Sequence, residues 1–238
     1  MCSTRLSAQY GIADTTISVV LIDFAAGYHV PGGDLADRFG SNGAMGGGVR
    51  LKLSNGFVFG LHGSFLFGSE VNQTVATGIR NSDGFIIDDQ GRFVQLLTLQ
   101  RGLTTTAQVG RLFKAFGPNP NSGFLLQIGG GLLQHKIRLE SRNNDAPAIE
   151  GELLKGYDRL TNGFTLHESF GYQILSSNKL VNIYFGIEAY HAWTQSRRAF
   201  NIDDMAKDVS KRKDSLYGLK LIWSFPIYGR NVQGEYYR

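Results

Sequence analysis

The chain has almost no cysteine. Cys2 is the single one in 238 residues, so neither a disulfide nor a thiolate-rich metal site can form within it. Proline is scarce too, at 5 residues against 31 glycines. The glycines show no Gly-X-Y period, which excludes collagen-like and proline-rich disordered chains. Charged residues make up only 18%, and the net charge of +4 is small and scattered. Arg197-Arg198 and Lys211-Arg212-Lys213 alternate with Asp203, Asp204, Asp208 and Asp214, the pattern of a solvated mixed-charge loop, so nucleic acid is not expected as a partner. There is no run of about 18 apolar residues, so no segment reads as a membrane-spanning helix. CSTRLSAQ reads either as the end of a secretory signal cleaved after Ala8 or as a short disordered N-terminus.

What is present is alternation. In NGFVFGLHGSFLFG (55–68), Phe57, Phe59, Leu61, Phe65 and Phe67 share one parity, while Val58, Gly60, His62, Ser64 and Leu66 share the other. Side chains of a strand point to opposite faces with period two, so this strand has a large apolar face and a second face without charge. Seven more segments read as strands: 17–29, 43–53, 97–113, 123–140, 164–175, 180–194 and 216–228. Tight Asn-Gly, Gly-Pro and Ser-Asn turns at 54–56, 116–122 and 176–179 alternate with long connections at 30–41, 69–96, 141–162 and 195–215. In an up-and-down sheet, alternate connections lie at opposite ends. The expected fold is therefore an all-β, eight-stranded antiparallel transmembrane β-barrel with short periplasmic turns and long extracellular loops. The segments meet or exceed the roughly 9–11 residues that a tilted strand needs to cross hydrocarbon.

Face chemistry points the same way. Phe185, Ile187 and Trp193 oppose Asn182, Tyr184, Glu188 and Tyr190; Tyr217, Leu219, Leu221, Trp223 and Phe225 oppose Gly218, Lys220 and Ser224. Apolar outside with polar or small inside is the inverse of a soluble barrel. The expected lipid-facing belt is Phe57, Phe59, Phe65, Phe67, Phe185, Trp193, Tyr217, Trp223 and Phe225, with Trp193, Tyr217, Trp223 and Tyr228 near strand ends as interfacial aromatics. An eight-stranded barrel is wide enough only for its own side chains, so glycines such as Gly171, Gly186 and Gly218 are expected to share the lumen with larger neighbours. Asp23, Arg50, Glu188 and Lys220 fall on the inward parity of the first, second, seventh and eighth strands. They are expected to form a buried ionic cluster, since unpaired buried charge is costly.

No catalytic or metal constellation is expected, and no cofactor. His167-Glu168-Ser169 is the one tight grouping, but on a strand Glu168 points away from the other two, so they cannot form a relay. No H-E-x-x-H pattern occurs, and Asp83, Asp88 and Asp89 lack the calcium-loop order. Glu168 shares parity with Phe164, Leu166, Phe170 and Tyr172. It is either shifted by a bulge, close to the interface, or covered by another protein, with Thr104 to Ala107 adding a weak outer face nearby. The long stretch 69–96 contains SDGFIIDDQGRF, which suits an extra hairpin.

The eight-strand layout, the Ala8-Gln9 junction, PGGDLADRFG after the first strand and the ending WSFPIYGR…EYYR resemble the small OmpA/OmpX-like, porin-like outer-membrane barrels of the Bacteroidota. The resemblance implies the outer membrane of a Gram-negative bacterium, contact with the lipid bilayer and lipopolysaccharide, and partners among other outer-membrane or periplasmic proteins. Some similar barrels are subunits of the barrel-assembly complex or the type IX secretion apparatus, which implies a non-catalytic accessory subunit here. Residues 9–228 would be the barrel, 1–8 a signal remnant and 229–238 a periplasmic tail, whose Tyr236 and Tyr237 join Glu168 as candidate partner contacts. The alternatives are a stand-alone passive pore, an envelope-stabilising surface barrel, and a lipid-modifying enzyme.

Overall fold

The computed structural model describes residues 15–81, 83, 85–87, 90–141, 151–176 and 182–228. Strands β1 (Val19–Gly33), β2 (Asn42–Lys52) and β3 (Phe57–Gly68) come first. The short pair β4 (Ile86–Ile87) and β5 (Phe93–Val94) follows, then β6 (Leu96–Lys114) and β7 (Gly123–Ser141). A short helix α1 (Gly151–Tyr157) precedes β8 (Thr161–Leu175), β9 (Asn182–Ser196) and β10 (Lys211–Tyr228). Each long strand pairs antiparallel with the next in the chain, and β10 pairs with β1, so eight strands close a barrel in up-and-down order. Closure gives every strand two neighbours, which is how backbone N–H groups are satisfied where water is absent.

The strands run further than the sequence pattern suggested. β1 was expected to end at 29 and β10 to begin at 216, but Val30 to Gly33 pair with Tyr217 to Asp214. Pro31 and the charged stretch Lys211-Arg212-Lys213-Asp214 had marked those residues as loop. The ladder shows why both are tolerated. β2 leaves β1 at His29↔Asn42, so Pro31 lies where β1 has one neighbour and its missing N–H can face the open side. Pro226 has the same setting, because β9 leaves β10 at Trp223↔Ile183. β6 and β7, at 19 residues each, are well beyond the length needed to cross hydrocarbon, so this hairpin stands above the membrane.

Connections 53–56 and 115–122 are tight. Gly56 takes φ +88°, which a side chain rarely permits, and its N–H closes the β2–β3 turn on the Leu53 carbonyl at 3.0 Å. The turn at 176–179 lies partly outside the described residues. The long connections fall at the opposite end, and 69–95 contains the expected extra hairpin, β4–β5. Helix α1, in the third long connection, was not foreseen.

Candidate functional site

The lumen is filled with paired charge. Near the short-turn end, Arg50 donates from Nε and Nη2 to both carboxylate oxygens of Asp23, from Nη1 to Gln173 Oε1 at 2.9 Å, and from Nη2 to Ser224 Oγ at 2.9 Å. Ser224 Oγ donates back to Asp23 Oδ1 at 2.6 Å, across the β1–β10 seam where Asp23 and Ser224 are direct partners. His62 Nε2 stands 3.3 Å from Asp23 Oδ2. One turn of the barrel higher, a single carboxylate, Glu188, collects four contacts. His29 Nε2 reaches Oε1 at 2.9 Å, while His167 Nε2, Lys220 Nζ and Tyr190 Oη reach Oε2 at 2.9, 3.0 and 3.0 Å.

The four expected lumen charges thus lie inside as two self-neutralising pairs, Asp23–Arg50 and Glu188–Lys220. Sequence reasoning missed the histidines that join them. The signal was available: His29 shares the parity of Asp23, and His62 and His167 occupy inward positions of β3 and β8. The glycines make the room. A Cβ on Gly186 would come 2.5 Å from the Tyr184 hydroxyl, and one on Gly218 would come 2.4 Å from the His29 ring. Higher still, His135 Nε2 and Thr194 Oγ1 both reach Asp214 Oδ2, at 2.8 and 2.5 Å.

The long-loop end is capped. Leu35 and Phe39 from the first long connection, Val75 and Ala76 from the second and Tyr157 of α1 pack on Leu66, Leu133, Ile137 and Leu216 from the strands. Ile202, from the last connection, adds to this core. Asp203 ties three connections together, accepting from the N–H of Ala76 at 3.1 Å and of Thr77 at 2.8 Å, and from Arg159 at 3.2 Å. Beside it Arg38 is buried, donates to Thr161 Oγ1 at 2.9 Å and lies 3.8 Å from Asp208. Burial, helped by the neighbouring charge of Arg212, pulls its guanidinium down to about 10. Partial burial pushes Asp208 up, but the hydrogen bonds from Ser210 and Arg212, together with the charge of Arg212, outweigh that and hold its carboxyl below the usual aspartate range.

The outer wall is apolar. Phe57, Phe59, Phe65, Phe67, Phe185, Trp193, Tyr217, Trp223 and Phe225 all project outward and are exposed. From Phe164 to Ile174 along β8, about 3.3 Å per residue and a tilt near 40° give roughly 25 Å, the height of the apolar band of a membrane barrel. Trp193, the cross-strand partner of Phe164, lies at its upper edge, and Trp223 at its lower edge opposite Ile183. Tyr217 does not sit near a strand end as expected. Because β10 starts at Lys211, Tyr217 pairs with Ala189 in the middle of the wall.

Glu168 is in that same row, between Ile128 and Ala189. The register on both sides is continuous, so no bulge turns it aside, and it is near mid-height rather than at an edge. Its side chain is exposed and stands between two dents. One, of about 550 Å³, lies over Ala107, Val109, Ile128 and Gly130; the other, of about 670 Å³, lies over Ala189, Ile187, Tyr217 and Leu219. Tyr236 and Tyr237 lie outside the described residues.

His167 and Ser169 face the lumen, and His167 is engaged by Glu188 rather than by Ser169. A serine and a histidine do meet on the outside, with Ser215 Oγ 3.3 Å from His191 Nδ1. Among the described residues no carboxylate hydrogen-bonds that imidazole, whose ring packs edge-on against Tyr217 instead, so the pair lacks the third member of a relay. Among the same residues no group of three or more His, Cys, Asp or Glu side chains is arranged to hold a metal.

A closed eight-stranded barrel with an apolar exterior, a polar lumen and long loops at one end is a bacterial outer-membrane β-barrel. No family model and no curated protein matches this chain. Solved structures similar to it include one of Neisserial surface protein A and two of Ail. Neisserial surface protein A has a TM-score of 0.42 and 8% identity, over 85% of this chain and 95% of that one. Ail, the attachment invasion locus protein of Yersinia pestis, has been solved in complex with the heparin analogue sucrose octasulfate. That structure gives 0.34 and 11% over 87% of this chain and 99% of that one; another of Ail gives 0.30 and 13% over 88% and 99%. The architecture rests on this chain's own register, and these likenesses add nothing about ligands or partners.

Proposed function

We propose that the protein is a non-catalytic outer-membrane barrel serving as a structural or accessory subunit of an envelope protein complex. Glu168 carries the reading. A carboxylate at mid-height of a lipid-facing wall is costly, and the undisturbed ladder gives it no escape by register. A partner segment in the two flanking dents would cover it and supply a hydrogen-bond donor or cation. The filled lumen and capped mouth favour this over a passive pore. The Ser215–His191 pair, with no carboxylate partner among the described residues, gives no support to a lipid-modifying enzyme. A barrel-assembly or type IX secretion role, and an origin in the Bacteroidota, rest on the sequence resemblance alone. The second reading, a free-standing surface barrel that stabilises the envelope, would leave Glu168 facing lipid.

The test is a photo-crosslinking amino acid at Ala189, beside Glu168, in cells expressing the protein at native level. A discrete protein adduct that disappears with Glu168→Leu is expected. Adducts to lipid only, together with a lone monomer after gentle detergent extraction, would end the subunit reading.

A further inference from the structure

Glu168 points outward from β8. Ile128 and Ala189 stand beside it across the two ladders, and Leu166 and Phe170 above and below it along the strand, all apolar. Among the described residues no hydrogen bond or ion pair engages its side chain. The wall supplies no cation at that depth either. The outward cations of β6 and β7 stand toward the barrel's edges: Arg111 opposite Phe57, where β3 starts, and Arg101 and Lys136 on the row of Phe67, near where β3 ends. Lys211 and Lys213 lie at the upper edge, opposite Gln195 and Trp193. What a carboxylic acid does have is a donor and an acceptor together, so it can satisfy a copy of itself, which a carboxylate or an ammonium cannot.

We propose that the wall formed by β7, β8 and β9 is the interface of a homodimer, in which Glu168 of one copy pairs with Glu168 of the other as two carboxylic acids. The inference rests on the reading that protein covers Glu168, and it names that protein as a second copy of this chain. The membrane favours this partner. Every copy is inserted with its long loops on the same side, so a two-fold axis relating two copies runs along the membrane normal. On such an axis each residue meets its counterpart at its own depth. A barrel of different sequence would need a polar group set at the height of Glu168, whereas a second copy has one by symmetry. Two acids meeting there form reciprocal O–H···O hydrogen bonds with no net charge, which removes the cost that hydrocarbon sets on a lone polar group. Ala189 is small, so on that side no bulky group next to Glu168 holds the second wall away.

The experiment is sedimentation equilibrium of the full chain in density-matched detergent, comparing the unaltered protein with Glu168→Gln, Glu168→Leu and Glu168→Lys. The side chain lies outside the ladder hydrogen bonds, so all four should show the heat-modifiable migration of a folded barrel. The unaltered protein should dimerise, and Glu168→Gln should match it closely, because an amide also carries a donor and an acceptor. Glu168→Leu should dimerise about ten-fold more weakly, as expected for one or two hydrogen bonds within a membrane, and Glu168→Lys should be monomeric. The infrared difference between the unaltered protein and Glu168→Gln should show the carbonyl band of a neutral carboxylic acid. A Glu168→Gln variant as weak as Glu168→Leu, or a carboxylate band instead, would mean that a cation holds Glu168 and would overturn the pairing. Full dimerisation of Glu168→Leu would overturn it as well. A monomeric unaltered protein whose Ala189 crosslinks in cells to a different protein would overturn the homodimer and leave the subunit reading standing; crosslinks to lipid alone would end both.

Discussion

Glu188 holds more of the lumen together than any other side chain, since one carboxylate receives Lys220, His29, His167 and Tyr190. Lys220→Met keeps the length of the side chain but removes the single permanent cation in that set. An acid left buried without its cation is destabilising by about 3 kcal/mol, so the variant should unfold at lower temperature in detergent. Circular dichroism melting checks this, and an unchanged midpoint would mean that the two histidines alone neutralise Glu188. Parity placed Asp23, Arg50, Glu188 and Lys220 inside, because alternation along a strand is a local property. The pairing of Asp23 with Arg50 and of Glu188 with Lys220 was not local. It depends on stagger between neighbouring strands, which the one-dimensional pattern does not carry.

At the scale of elements, the eight strands were legible in the sequence because lipid on one face and a narrow lumen on the other force strict alternation. Their ends were not. Above the membrane the outer face of β10 meets water and its inner face carries the buried carboxylate of Asp214, so Lys211 to Asp214 lost the apolar signal while keeping the ladder. Helix α1 was missed for a related reason: its Tyr157 and Leu154 pack into a core contributed by other loops and by distant strands, which no local pattern announces. The last connection, 197–210, is fastened to that cap through Asp208, which binds Arg212 and faces Arg38. Because the folded pKa of Asp208 is depressed, its contribution is complete above the unfolded value and is lost as pH falls through the lower folded one. Hydrogen exchange in residues 200–210 should therefore accelerate below about pH 4. Asp208→Asn should exchange faster at neutral pH and show a smaller acid increment. Identical pH profiles for the two proteins would assign the acid response to other groups.

For the whole molecule, two seals act in series. The lumen is crossed by ion pairs, and the loop-end mouth is closed by an apolar core that draws on four connections. In planar bilayers the protein should give no steady ion current at moderate voltage, and a stable channel of porin size would show that the cap opens. Such a scaffold offers its surroundings a wall, a rim and a set of loops, and Glu168 stands on the wall.

Asp23 and Ser224 are direct partners yet lie 201 positions apart in the chain, so the closing ladder is the most distant contact available. Loop-closure entropy and topology make such a contact late and slow. Until the final strand is delivered, β1 has an unpaired margin that can recruit foreign strands. Pairing of β1 with β10 is therefore the step that both closes the cylinder and hides that margin.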